Sequence, residues 1–217
     1  DAEIGSPVTP GREDHDTARA LLLIDLDHFK ETNDRFGHAL GDAVLVAVAE
    51  RLRSTLRETD MVVRWGGEEF LVLAKTAPDR VDEIAARILR AVAAEPIVLN
   101  DKVIRATVSI GYAPMPLPPA RTPLSWDRAI GLVDMALYMA KVNGRNRAYG
   151  IQRLKGDGDA SLAAAERDLE RAWKDGLVDL SYVTASYTPA RPILPLMAEL
   201  PGAGDTAPAN SAAYSRI

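Results

Sequence analysis

Ala18–Ile24 (ARALLLI), closed by Asp25, is a short and almost unbroken apolar run. An amphipathic strand or helix would interrupt it with polar residues. Its continuity predicts a central strand buried on both faces, with an acid at its end. Downstream, Asp27–Phe36 reads as a short helix capped by Asp27 and stopped by Gly37. Asp42–Leu56 places Val44, Val48, Leu52 and Leu56 four apart, an amphipathic helix. Met61–Trp65 and Glu69–Ala74 are strand-like runs joined at Gly66-Gly67, a hairpin signal. Pro78–Glu95 repeats apolar residues at Val81, Ile84, Ile88 and Val92, a further helix closed by Pro96.

Beyond it, Ile97–Leu99 and Val103–Ala113 flank Asn100-Asp101 as a second hairpin. Residues 114–123 (PMPLPPARTP) read as a stiff loop, too poor in donors for a central strand. Ser125–Val142 is a helix with Ser125 as cap and Asn143-Gly144 as stop. Arg147–Ile151 reads as a last short strand, and Ala160–Asp175 as one additional helix. Residues 1–17 are polar and broken by Gly and Pro, a linker or truncated arm. The stretch beyond Ser186 is rich in Ala, Pro, Ser and Gly and is expected to be mobile unless docked.

The element order predicts an α+β, ferredoxin-like βαββαβ core, a sheet flanked by helices. Right-handed crossover makes the first and second strands parallel, with the third antiparallel between them. The end of the first strand then lies beside the start of the third, so Asp25 meets Glu68 and Glu69 on one edge.

Composition narrows the function. The 217 residues carry 47% hydrophobic and 26% charged side chains, enough for a packed core. No apolar run reaches the roughly 18–20 residues of a membrane span, so no membrane contact is expected of this segment. A net charge of −5 argues against nucleic acid held by bulk phosphate attraction. The absence of cysteine excludes disulfides and thiol chemistry and fits a cytoplasmic setting. The chain begins with Asp1 and reads as a piece of a longer protein, whose other regions could hold a membrane anchor.

Clustered carboxylates repel unless a cation intervenes. Mg²⁺ is commonly held by one or two carboxylates, with substrate phosphates and waters completing its shell. Gly66-Gly67 lets backbone approach a ligand, and a helix starting at Asp27–Lys30 offers free N–H groups to phosphate. Together these features describe a metal–triphosphate site. Taken alone, the turn also fits a plain surface hairpin with two exposed glutamates.

Arg64–Phe70 (RWGGEEF) resembles the signature of GGDEF domains, the diguanylate cyclases, with Glu in the third position. Leu23–Asp42 (LIDLDHFKETNDRFGHALGD) resembles that family's first strand and following helix, Val108–Tyr112 (VSIGY) a later strand, and Ala136–Asn146 (ALYMAKVNGRN) its late helix and turn. The resemblance covers roughly residues 18–151, leaving 152–217 as a C-terminal extension. It implies Asp25, the Leu26 carbonyl and Glu68 as metal ligands, with Glu69 serving a second metal or the attacking hydroxyl. Asp25, Glu68 and Glu69 are thus the implied catalytic residues, with two Mg²⁺ (or Mn²⁺) per half-site. Backbone N–H groups at Phe29 and Lys30, beside Gly66 and Gly67, would hold phosphates, aided by Lys141 and Arg145. Asn33 and Asp42 would read guanine, whose adjacent N1–H and N2–H₂ suit a carboxylate. Read without the family, Asn33 is helix surface and Asp42 a helix cap.

The implied reaction joins two GTP into cyclic di-GMP and pyrophosphate across a homodimer. Arg57-Glu58-Thr59-Asp60, five residues before Gly66, resembles the family's product-inhibition motif, with Arg87 as a second arginine and Arg90 its competitor. A local Arg–Asp pair at a helix end explains the same residues. The remaining notable residues have simpler readings. His28 and His38 do not make a zinc centre, and His38 is structural. Trp65 packs or faces a dimer, and Trp126 anchors its helix to the core. Family members carry a segment resembling D-x-L-T-G-L-x-N-R before the first strand, and it is not found ahead of Ala18. The loss leaves a rival reading: a cyclic di-GMP receptor with weak or no synthesis. A third is another two-metal nucleotidyl enzyme on a palm-like core, such as an adenylate cyclase. An upstream sensor domain is expected in the full-length protein.

Overall fold

The computed structural model describes residues 19–99, 101–119 and 124–186. Within them the strands are β1 (Arg19–Leu26), β2 (Met61–Arg64), β3 (Glu69–Lys75), β4 (Ile97–Leu99), β5 (Lys102–Ile104), β6 (Val108–Met115), β7 (Arg147–Leu154) and β8 (Val178–Thr184). The helices are α1 (Phe29–Phe36), α2 (His38–Thr55), α3 (Val81–Ala93), α4 (Trp126–Val142), α5 (Gly158–Arg167) and α6 (Leu169–Lys174).

Six strands form one sheet in the order β2-β3-β1-β6-β7-β8, and β4-β5 form a separate hairpin. β3 runs antiparallel to both β1 and β2, so β1 and β2 are parallel with β3 between them, as the crossover rule requires. β6 is antiparallel to β1 and parallel to β7, the pair bridged by α4. The ferredoxin-like βαββαβ core expected from the sequence is present, extended by β7 and β8.

Seven of the eight β1 residues are buried, because helices cover both faces of the sheet. On one face α2 and α3 bury Val44, Val48, Leu52, Ile88 and Leu89 against Leu22, Ile24 and Val72. On the other, α4, α5 and α6 bury Leu132, Leu137, Leu162 and Leu169 against Leu21, Leu23 and Ile151. Each such side chain stabilises the fold by about 1.5–3 kcal/mol relative to exposure.

Several sequence expectations change. α2 begins at His38, so Asp42 lies inside the helix and caps nothing. Its early turn carries no apolar period, which hid the start. Asp27 does not cap α1: His28 precedes that helix in a left-handed conformation (φ 58°), with no side-chain cap. The expected strand over Val103–Ala113 splits into β5 and β6, and β6 continues through Pro114 to Met115. Pro114 is tolerated because it sits next to last, opposite Ala20. The single helix expected over Ala160–Asp175 is two, because Asp168 caps α6 by accepting from the Arg171 N–H at 2.9 Å. β7 runs to Leu154, across the boundary expected at 151, and β8 was not anticipated. Trp126 does not anchor its helix in the core; it is 46% exposed. The expectations for residues 1–17 and for the tail beyond Ser186 fall on residues outside those described.

Candidate active site

The site forms where β1 and β3 meet. Asp25 pairs with Glu69 across β1·β3 and with Ser109 across β1·β6. Glu68 continues that pairing, its carbonyl accepting from the Leu26 N–H at 3.2 Å. Cross-strand partners stand about 4.5–5.5 Å apart at Cβ, so the Asp25 and Glu69 carboxylates are held as neighbours.

The turn between β2 and β3 is clamped by a residue the sequence reading passed over. Arg64 donates to the Gly67 carbonyl from Nε at 3.0 Å and from a terminal nitrogen at 2.7 Å, and reaches the Gly66 carbonyl at 3.3 Å. Trp65 N–H closes the turn onto the Glu69 carbonyl at 2.8 Å. Neither Gly66 nor Gly67 has a positive φ. What they contribute is the lack of side chains beside the two acids. An arginine two residues before the first glycine was the available signal for this clamp.

Electrostatics follow from burial. Asp25 is only 7% exposed. Burial pushes its carboxyl above the ordinary carboxylate value, the Lys141 ammonium pulls it back, and the Glu68 and Asp27 charges push it up again. Lys141 Nζ sits 2.8 Å from Asp25 Oδ2. Glu69 is also raised, by burial first and by the Asp25 charge second.

Asp27 holds the neighbouring pieces together. Oδ2 accepts from Thr107 Oγ1 at 2.7 Å and from the Asn146 N–H at 3.0 Å, and Oδ1 accepts from Ser109 Oγ at 2.7 Å. This joins the end of β1 to β6 and to the turn after α4. In that turn Arg145 and Asn146 both adopt left-handed backbone, at φ 57° and 46°. Arg145 is exposed, and Lys141 lies one turn before it on α4.

α1 starts beside the acids. Phe29 is buried, and Lys30 is exposed at the first turn. Asn33 leans onto α2: its Oδ1 is buried with no partner and lies against Gly41, where a Cβ would collide with it. Only glycine lets the two helices approach so closely. Asp42, next along α2, is exposed. The Asn33 oxygen is thus a buried acceptor left without a partner in the contact between α1 and α2.

The second constellation is separate. Arg57 is exposed and lines a cleft of about 590 Å³ with Arg53 and Thr59. Asp60 has both oxygens engaged, accepting from the Arg57 N–H at 2.9 Å and the Lys75 N–H at 3.0 Å. Arg87 lies on α3, its Nε buried without a partner, and is not among the residues lining the cleft.

Among the described residues no three acid or imidazole side chains close on one point as a protein-only metal cage. Mg²⁺ does not need one, since phosphates and waters complete its shell. The neighbouring Asp25, Glu68 and Glu69 suit such partial ligation. Among the described residues, no helix is long and apolar enough to cross a membrane.

Residues 6–147 match the family model described as diguanylate cyclase, GGDEF domain. The chain is 34% identical over 163 residues to cyclic di-GMP phosphodiesterase NbdA of Pseudomonas aeruginosa, covering 75% of this chain and 20% of that protein. It is 40% identical over 162 residues to diguanylate cyclase TpbB of the same species, covering 73% of this chain and 35% of the relative. Among solved structures it resembles the GGDEF domain of DgcB from Caulobacter crescentus in complex with c-di-GMP. That similarity has a TM-score of 0.53 and 30% identity, over 59% of this chain and 75% of that one. The chain thus spans about a fifth to a third of the length of these two curated relatives.

Proposed function

The chain belongs to the GGDEF diguanylate cyclase family, and on that footing we propose that it condenses two GTP molecules into cyclic di-GMP. In each of two steps the 3′-hydroxyl oxygen of one nucleotide bonds to the α-phosphorus of the other. The α–β bridging bond breaks and pyrophosphate leaves. Each copy supplies half of the reacting pair, so turnover takes place in a homodimer.

The observation that carries this reading is the cross-strand pairing of Asp25 with Glu69 beside a lysine and a helix start. Asp25, the Leu26 carbonyl and Glu68 would hold Mg²⁺, with Glu69 toward a second ion or the attacking hydroxyl. Bound there, Mg²⁺ (or Mn²⁺) offsets charge developing on the transferring phosphoryl group. The chain's own residues position the nucleotide. Backbone N–H groups at Phe29 and Lys30 face the terminal phosphates, and Gly66 and Gly67 leave them room. Arg145 adds charge, and Lys141 exchanges its contact with Asp25 for one with phosphate. Asn33 and Asp42 accept from the guanine N1–H and N2–H₂ edge, which adenine lacks. Positioning and charge stabilisation of this kind carry most of the rate in phosphoryl transfer.

Arg57 forms the product-inhibition site, its guanidinium reaching a guanine edge or phosphate of cyclic di-GMP from the open cleft. Asp60 shapes that cleft through the two backbone groups it holds, and Arg87, outside the cleft lining, is the second arginine of the site from α3. A sensor domain elsewhere in the full-length protein sets the activity, and a cytoplasmic location gives access to GTP.

The test is incubation of the chain with GTP and Mg²⁺, following nucleotides by chromatography at several protein concentrations. Cyclic di-GMP formed with a steeper than linear dependence on protein is the expected result. No product, or turnover per chain independent of concentration in a proven monomer, overturns it.

A further inference from the structure

On the face of the sheet covered by α4, a groove of about 300 Å³ runs between that helix and the turn before β3. Leu23 and Ile130 supply apolar lining, and Trp65 and Trp126 stand beside them. The two indoles are 48% and 46% exposed, a large area of aromatic surface on one groove. Asp127, Asp134 and Glu69 also line the groove, and among the described residues no cation does. Its occupant should therefore be apolar, able to stack on indole, and positively charged at one point.

The chain contains such a segment. Residues 189–197 read Pro-Ala-Arg-Pro-Ile-Leu-Pro-Leu-Met, with proline at 189, 192 and 195 and Arg191 the single charge. Proline at every third position matches the three residues per turn of a polyproline II helix, which puts the rings on one edge. Aromatic-lined grooves bind such edges because the ligand is stiff and loses little entropy on docking. An adjacent arginine finds its counter-charge in a carboxylate of the groove.

Reach is sufficient. Phe70, Ile24, Ile110, Ala148 and Val183 occupy one row across the sheet. Val183 is thus four strand spacings, about 19 Å, from the strand that begins at Glu69. The nine residues from Val183 to Pro192 extend to about 30 Å at 3.3 Å each.

We propose that Arg191–Leu196 docks in the Trp65–Trp126 groove of its own chain, with Arg191 against the Asp127 and Asp134 carboxylates.

The chain has no cysteine, so two can be introduced cleanly. Nitroxide labels on Val63→Cys and Ala198→Cys report the separation of tail and groove by pulsed electron resonance. The expected result is one narrow distance band, broadened by Arg191→Glu and by Pro192→Ala with Pro195→Ala. Label-free melting curves check that the fold is unaltered by these substitutions. A distribution already broad in the parent pair, and unchanged by those substitutions, overturns the proposal. So does a narrow band that disappears when excess unlabelled chain is added, which would place the tail on a second copy.

Discussion

Lys141 at the end of α4 and Asp25 at the end of β1 are joined by a 2.8 Å ion pair. The lysine offsets only part of the cost of burying that carboxylate, since Asp25 still titrates above its ordinary value. A carboxyl raised on folding stabilises the protein while protonated. That stability is complete below the ordinary 3.8 and is lost as pH climbs through the raised value. Glu69 acts in the same direction. The contribution of these two acids to the stability of the metal-free chain should therefore fall on going from acid toward neutral pH, against the opposite contribution of the lowered Glu83, Glu166 and Asp179 carboxyls, and Mg²⁺ should restore part of it. Asp25→Asn should flatten the slope and melt no lower than the parent at neutral pH. Its cyclase rate should fall by about 100-fold or more. Thermal melts from acid to neutral pH, with and without Mg²⁺, check the stability terms, and a nucleotide assay checks the rate.

Arg57 and Asp60 should separate in mutagenesis. Arg57→Ala removes an exposed side chain and should change stability by less than about 0.5 kcal/mol, while abolishing the stall as cyclic di-GMP accumulates. Asp60→Ala removes the acceptor of both the Arg57 and Lys75 N–H groups and should cost about 0.5–1.5 kcal/mol. Progress curves with added product, set beside urea melts, measure both.

Base selection should depend on the contact between α1 and α2. Gly41→Ala forces the Asn33 side chain aside. We expect the KM for GTP to rise about tenfold, one hydrogen bond's worth, with kcat changed less. Asn33→Ala should do the same by removing the acceptor itself, with no Cβ forced into the helix contact. Equal KM values for parent and both variants would remove Asn33 from the base site.

The extension should be part of the fold's stability. Ser181 on β8 bonds Tyr112 Oη at 2.7 Å and Gln152 Nε2 at 2.7 Å, and Tyr112 Oη also bonds Asp82 at 3.0 Å. Ser181→Ala should cost about 1–2 kcal/mol by chemical denaturation, through polar groups left short of partners.

Burial and long-range contact decide how much could be read ahead. β1 was legible because a strand covered on both faces is written as an unbroken apolar run. The meeting of Asp25 with Glu69 followed from topology, since chirality leaves β3 one place to go. β8 escaped because four of its inner residues are half-buried, so neither alternation nor a continuous run marks it. Asp27 looked like a helix cap, the local use of an acid before a helix. Its actual partners, Thr107, Ser109 and Asn146, lie 80, 82 and 119 residues away, where no local pattern reaches. Arg64 was missed for a related reason: an arginine on a short strand gives no sign that its guanidinium will grip the turn ahead.

The sheet ends in two free edges, β2 and β8. Open edges invite further strands and so expose a protein to pairing with its own copies. β2 is four residues long and offers a stacking chain little purchase. On β8, Asp179 is paired with Arg153 and Lys155, so an incoming strand would have to accommodate three charges. Loss of these charges should appear first as fibrous or amorphous self-association at high concentration, before any change in the chemistry at the far end of the sheet.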